Sequence, residues 1–336
     1  MTTSPLVSVR NLTKHFPVRG GIFGRKVGAV QAVDAISFDV LHGETLGIVG
    51  ESGCGKSTTG RLLMRLTEPD AGEVIFDGET IRGKTGPSLR ALRRHLQMVF
   101  QDSYASLNPR LPVEMSVAYG PFAHGAGRKE ALARAAVLLE AVGLDPALFA
   151  GRYPHELSGG QRQRVNIARA LAIEPRIVIL DEAVSALDKS VAAQVLNLLV
   201  DLKERFRLTY LFISHDLSVV RYLSDRVMVM YLGKAVEVGP VAEVWENPRH
   251  PYARALLAAM PTMDPSRRST EALLSGDPPN PINPPSGCRF RTRCRFAEEV
   301  CALREPPLLT LSDATDHQVA CHIFAPGASH SLQVDP

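Results

Sequence analysis

The chain has 336 residues, of which 45% are hydrophobic and 22% charged, and its formal net charge is +3. That length allows about two domains, and the composition excludes wholesale disorder. The net charge is too small to imply nucleic-acid binding by itself, and no apolar run approaches the ~18 residues of a membrane-spanning helix.

Residues 1–255 read as one α/β unit. Met1 to Arg10 lacks the charged-then-apolar pattern of a signal peptide, so a cytosolic location is expected. Thr45 to Gly50 is a short apolar strand, Lys56 to Leu66 a helix, Pro69-Asp70-Ala71-Gly72 a turn and Glu73 to Ile81 a returning strand. Between the first strand and helix lies Gly50-Glu51-Ser52-Gly53-Cys54-Gly55-Lys56-Ser57, which fits G-x-x-x-x-G-K-[ST] in the context that motif requires. Glycines let backbone N–H groups turn toward phosphate oxygens, and the helix N-terminus adds partial positive charge. Lys56 would reach the β- and γ-phosphates, the Ser57 hydroxyl would ligate Mg²⁺, and Thr58 continues the cradle into the helix. Cys54 reads as a small filler within it.

Leu96 to Phe100 is another apolar run, ending at Gln101. Residues 103–173 then break the strand–helix alternation and read as a helical insertion; Lys129 to Val142 is Ala/Leu-rich and stops at Gly143, a C-cap residue. Within the insertion, Leu157-Ser158-Gly159-Gly160-Gln161 opens a helix expected over Arg162 to Ala172. Ser158 would cap it and the glycines would expose its first N–H groups, making a second anion site. Because the insertion separates this site from the first, supply from another chain is the simple solution.

Arg176 to Leu180 and Thr209 to Ser214 are buried-strand candidates around the helical pattern Val191, Val195, Leu198, Leu199 and Leu202. This order favours a parallel sheet with right-handed crossovers. Asp181 and Glu182 end the first of these strands, where ligands of parallel sheets bind. Asp181 would hold Mg²⁺ and Glu182 would polarise the attacking water.

These motifs together resemble the ATPase subunits of ABC transporters over residues 1 to about 255. The resemblance implies a head-to-tail dimer with two ATP molecules at its interface. Each ATP is held by one subunit's cradle and by Ser158, Gly159, Gly160, Gln161 and Asp188 of the other. It further implies that Gln101 touches Mg²⁺ and the attacking water, that His215 contacts the γ-phosphate, and that Phe16 stacks on adenine. Ala183 stands where that family usually has proline, a change in loop stiffness rather than in chemistry. Soluble ABC ATPases of DNA repair or translation are the alternative class. They usually carry two cassettes or a long coiled coil, and neither is present.

Residues 256–336 differ in character. Pro261, Pro265, Pro278, Pro279, Pro281, Pro284 and Pro285 mark a linker, and Cys288, Cys294, Cys301 and Cys321 follow with spacing C-x₅-C-x₆-C-x₁₉-C. The tail shows little apolar periodicity, so it would need a metal or docking to be ordered. Zinc sites usually show a tight C-x₂₋₄-C pair, absent here, and four thiolates serve Zn²⁺ or a [4Fe–4S] cluster alike. His317 and His322 could substitute as ligands, and Arg289, Arg291, Arg293 and Arg295 would lower the thiol pKa values.

Tyr104-Ala105-Ser106-Leu107-Asn108-Pro109-Arg110, His250-Pro251-Tyr252 and Pro281-Ile282-Asn283-Pro284-Pro285-Ser286-Gly287-Cys288 are similar to the dipeptide/oligopeptide importer branch, which also contains nickel importers. The wording around Ser158 and Ser185 is more similar to the second of its two paralogous ATPases. What this implies is uptake of short peptides at the cytoplasmic face of the inner membrane. The implied partners are a paralogous ATPase subunit (or a second copy), two permeases and an extracytoplasmic binding protein, with no nucleic acid. Nickel or another small solute is the alternative cargo, and the branch implies a [4Fe–4S] cluster in the tail, with Zn²⁺ second.

Overall fold

The structure is a computed structural model and describes residues 4–20, 25–260, 276–312 and 316–333. In chain order its elements are β1 (Val7–Gly20), β2 (Arg25–Val40), β3 (Thr45–Val49), α1 (Lys56–Leu63), β4 (Ala71–Phe76), β5 (Glu79–Thr80), α2 (Gly86–His95) and β6 (Leu96–Val99). Next come α3 (Val113–Ala123), α4 (Arg128–Ala141), α5 (Pro146–Phe149), α6 (Gly159–Leu171), β7 (Ile177–Asp181), α7 (Lys189–Phe206), β8 (Thr209–Ile213) and α8 (Leu217–Leu223). The chain closes with β9 (Arg226–Tyr231), β10 (Lys234–Pro240), α9 (Val241–Glu246), α10 (Pro251–Ala258), α11 (Glu299–Leu303), β11 (Leu309–Ser312) and β12 (His317–Val319). These form two compact units, neither contiguous in sequence. One holds residues up to Leu6 with Val40–Thr45 and Ile81–Ser214, and the other holds Val7–Asp39, Leu46–Thr80 and the chain from His215.

In the first unit β6, β7 and β8 run parallel, with Leu96 opposite Ile177 and Ile177 opposite Thr209. All five residues of β7 and of β8 are buried, as their continuous apolar wording requires of strands covered on both faces. The insertion is helical as expected. α4 turns Ala131, Ala135, Leu138 and Leu139 inward, and small alanines let helices approach closely. It stops at Gly143, whose φ of 73° is the left-handed C-cap geometry. In α7 the buried set is Val195, Leu196, Leu199 and Leu202, with Val191 and Leu198 only half-buried.

In the second unit β2, β1, β4 and β5 form an antiparallel sheet, with Val7 opposite Phe76. Strand character before residue 45 carried no motif, and the expected strand Glu73 to Ile81 is a hairpin broken at Asp77 and Gly78, both at positive φ. Separately, β3 pairs in parallel with β9, and β9 pairs antiparallel with β10. The tail adds two strands to this edge. β12 pairs with β10 (Glu237 opposite Val319) and β11 pairs with β12. Val319 and Phe290 are 0% and 3% exposed, so the tail buries more core than its weak periodicity suggested. Much of the proline-rich stretch, 261–275, lies outside the described residues. Its later part is docked, since the Pro281 carbonyl accepts the Gln31 N–H at 3.1 Å.

Candidate functional site

β3 delivers the chain to Gly50 in the second unit, where the backbone enters conformations closed to other residues. Gly50 and Gly55 have φ of 149° and 108°. A Cβ on Gly50 would collide with the Met230 carbonyl, and one on Gly55 with the Ala32 carbonyl. Ser52 and Gly53 are exposed at the crest, and α1 begins at Lys56 with Ser57 and Thr58 in its first turn. The first N–H groups of such a helix have no intrahelical acceptor. The Lys56 ammonium donates to the carbonyls of Gly50 (2.8 Å) and Glu51 (3.0 Å), so the cation is held inside the loop. Cys54 is buried, which pushes its thiol up against the opposing pull of Lys56, as expected of a packing residue. Phe16 in the same unit is 39% exposed with the Lys14 ammonium 5.5 Å from its ring centroid. His215 is exposed just after β8.

In the first unit, β7 ends on the buried Asp181. Glu182 then turns into the left-handed region at φ 49°, its N–H held by the Ile213 carbonyl at 2.9 Å. The Gln101 side-chain amide donates to the Glu182 carboxylate at 2.9 Å, joining two predicted site residues 81 positions apart. α6 starts three residues earlier than expected, at Gly159. Ser158 caps it through a reciprocal pair: its hydroxyl accepts the Gln161 N–H at 3.3 Å, and the Gln161 side chain accepts the Ser158 N–H at 2.9 Å. Gly160 has a packing role as well, because a Cβ there would collide with Val191 of α7. Asp188 is exposed at the start of α7, where its carbonyl accepts the Ala192 N–H at 2.8 Å.

The second unit brings Cys288, Cys294, Cys301 and Cys321 around one small cavity. Among the described residues, no three His, Cys, Asp or Glu side chains form a group that could hold a single metal ion. His322 lines the cavity, as do His250 and His330. His317 instead pairs with the buried Glu237 at 2.8 Å. Of the four arginines expected to lower the thiol pKa values, only Arg295 pulls on a thiol, that of Cys294, and burial outweighs it. Burial pushes Cys288 and Cys321 up to about 12 and raises Cys294. Three of the guanidinium groups are engaged elsewhere: Arg289 with Asp34, Gln31 and the Leu232 carbonyl, Arg291 with the Ser286 carbonyl, and Arg293 with Glu51. The support of Glu51 escaped sequence reasoning. Its N–H donates to the Tyr252 hydroxyl at 2.9 Å, and only the His250-Pro251-Tyr252 wording flagged that tyrosine.

A family model described as "ABC transporter" matches residues 33–185, and one described as "Oligopeptide/dipeptide transporter, C-terminal region" matches residues 236–301. The chain is 50% identical over 325 residues to the oligopeptide transport ATP-binding protein AppF of Bacillus subtilis (strain 168), covering 95% of this chain and 98% of that protein. It is also 50% identical over 332 residues to the probable peptide ABC transporter ATP-binding protein y4tS of Sinorhizobium fredii, covering 96% and 91%. Among solved structures, the ATP-binding cassette MJ0796, a dimer in a post-hydrolysis state bound to ADP and Pi, superimposes with a TM-score of 0.62. That match has 30% identity and covers 70% of this chain and 98% of that one.

Proposed function

The chain belongs to the ATP-binding proteins of oligopeptide and dipeptide ABC transporters, and from that membership we propose that it hydrolyses ATP to drive import of di- and oligopeptides through two partner permeases. It is an ABC-type ATPase and uses ATP with Mg²⁺. The observation that carries the reading is the Gln101–Glu182 contact at 2.9 Å. An acid is held in a strained conformation directly after the buried Asp181.

In this reading the backbone N–H groups of Gly50 to Thr58 cradle the phosphates, and Lys56 leaves its two loop carbonyls for the β- and γ-oxygens. Ser57, Asp181 and Gln101 would hold Mg²⁺, whose charge would offset that of the phosphates. Glu182 orients a water and takes its proton, His215 contacts the γ-phosphate and Phe16 covers adenine. A partner ATPase, the paralogous subunit or a second copy, completes each site with its equivalents of Ser158, Gly159, Gly160, Gln161 and Asp188.

Among the described residues, no helix is long and apolar enough to cross a membrane. Attachment to the cytoplasmic face of the inner membrane would run through the permeases, with an extracytoplasmic binding protein presenting the peptide. For the tail, the proposed occupant is a [4Fe–4S] cluster. Its support is the sharing of one cavity by four thiols, one for each iron. Zn²⁺ would need its donors within about 2.3 Å of a single point.

Glu182→Gln tests the mechanism: turnover should fall by about 10²–10⁴-fold while ATP binding persists and the closed dimer accumulates. Retained turnover would remove Glu182 from the role of base. Unimpaired di- and oligopeptide uptake in a deletion strain would shift the cargo to nickel or another small solute. Anaerobic purification with iron and sulfide assays and absorbance near ~400 nm tests the cluster; stoichiometric zinc in a colourless protein would replace it.

A further inference from the structure

The phosphate loop and the thiol cavity, both in the second unit, share supporting side chains. Glu51 is the second residue of the loop, and its carboxylate accepts two bonds from Arg293, at 2.8 and 3.1 Å. The Arg293 side chain is 5% exposed and that of Glu51 23%, so the guanidinium is buried while the carboxylate stays partly open to water. Arg293 immediately precedes Cys294 of the cavity wall. The Glu51 N–H donates to Tyr252, which follows His250 and Pro251 of the same wall. Tyr252 is itself fully buried, packed with Tyr231 and Phe290 at centroid distances of 4.7 and 5.4 Å. Its helix start is anchored in turn, because the buried Glu237 carboxylate accepts the N–H groups of Arg249 (2.9 Å) and His250 (2.7 Å).

We propose that the cysteine-lined segment braces the phosphate loop, with Arg293 and Tyr252 as positioning residues that hold Glu51 and so set nucleotide affinity. This rests on the reading of Gly50 to Thr58 as the ATP cradle and is independent of what fills the cavity. Two physical effects act together. A bidentate guanidinium fixes both the place and the orientation of a carboxylate, so the loop is ordered before nucleotide arrives rather than at its expense. The same guanidinium neutralises an acid that would otherwise repel a bound triphosphate. Disturbance of the cavity wall would therefore reach ATP binding through Arg293.

The test is ATP affinity of the full-length protein, titrated with a fluorescent ATP analogue and ATP as competitor, for wild type, R293A, R293K, Y252F, E51Q and the R293A/E51Q double variant. R293A should weaken binding by about tenfold or more, the loss expected for a charge-assisted pair. R293K, which keeps the charge without the fork, should fall between. Y252F keeps the ring and should weaken binding by about threefold. In the E51Q background, removal of Arg293 should cost much less than in wild type, which a merely structural role would not produce. Equal losses in both backgrounds, or wild-type affinity in R293A, R293K and Y252F, would overturn the brace alone. Failure of the wild-type protein to bind the nucleotide would overturn the cradle reading beneath it.

Discussion

Glu182 holds a backbone conformation at φ 49° that costs a non-glycine residue of order 1–3 kcal/mol. The Ile213 carbonyl holds its backbone N–H, and the Gln101 amide holds its carboxylate. Gln101→Ala should therefore lower turnover by about 10- to 100-fold with ATP affinity nearly unchanged, as read from kcat against the ATP titration. Gly55 is constrained more severely, by its φ of 108° and by the nearness of the Ala32 carbonyl. Gly55→Ala should abolish ATP binding, because a Cβ there meets the Ala32 carbonyl and must displace the buried loop backbone; the measurement is the ATP titration alongside the thermal midpoint. At this scale motif spacing identified the residue types. It did not reveal that Arg293, 242 positions from Glu51, closes on the loop, because no local pattern encodes a contact of that separation.

Among the elements, the strands that emerged most clearly from wording were β3, β7 and β8, whose five residues are all buried. A strand covered on both faces needs an unbroken apolar run, and that run is visible without a partner. β1 and β2 were not legible, since mixed exposure blurs their period. α6 began earlier than expected because its cap is the reciprocal Ser158–Gln161 pair, which draws the glycines into the first turn. Ser158→Ala should destabilise the protein by about 1 kcal/mol, seen as a lowered thermal midpoint. If the proposed contact with a partner's nucleotide holds, the same variant should weaken ATP-dependent dimerisation as well.

For the whole molecule, Asp34, paired with Arg289, with Lys234 at 2.9 Å and with His15 at 3.3 Å, makes stability depend on pH. Burial raises its pKa, yet the hydrogen bond and charge of Lys234, with Arg289 and His15, outweigh that and hold the carboxyl below 3.8. The unfolded chain then takes up the proton first, so this contribution is present above pH about 3.8 and is lost as pH falls through and below it. Thermal unfolding between pH 6 and 3 should show that loss in the natural protein and a flatter profile in Asp34→Asn.

The sequence alone determined the local signals: glycines flanking Lys56, an acid pair closing an apolar strand, a serine-capped glycine pair and four grouped cysteines. Those signals are local, since phosphate loops, caps and buried strands are written within a few consecutive residues. Tertiary structure decided what supports them. It grouped non-contiguous segments into two units, paired the tail's β12 with β10, drew Arg289 toward Asp34 and Arg293 toward Glu51, and set Gln101 on Glu182. Such pairings depend on which segments share a sheet, a balance of burial and closure entropy over the whole chain that no short stretch contains.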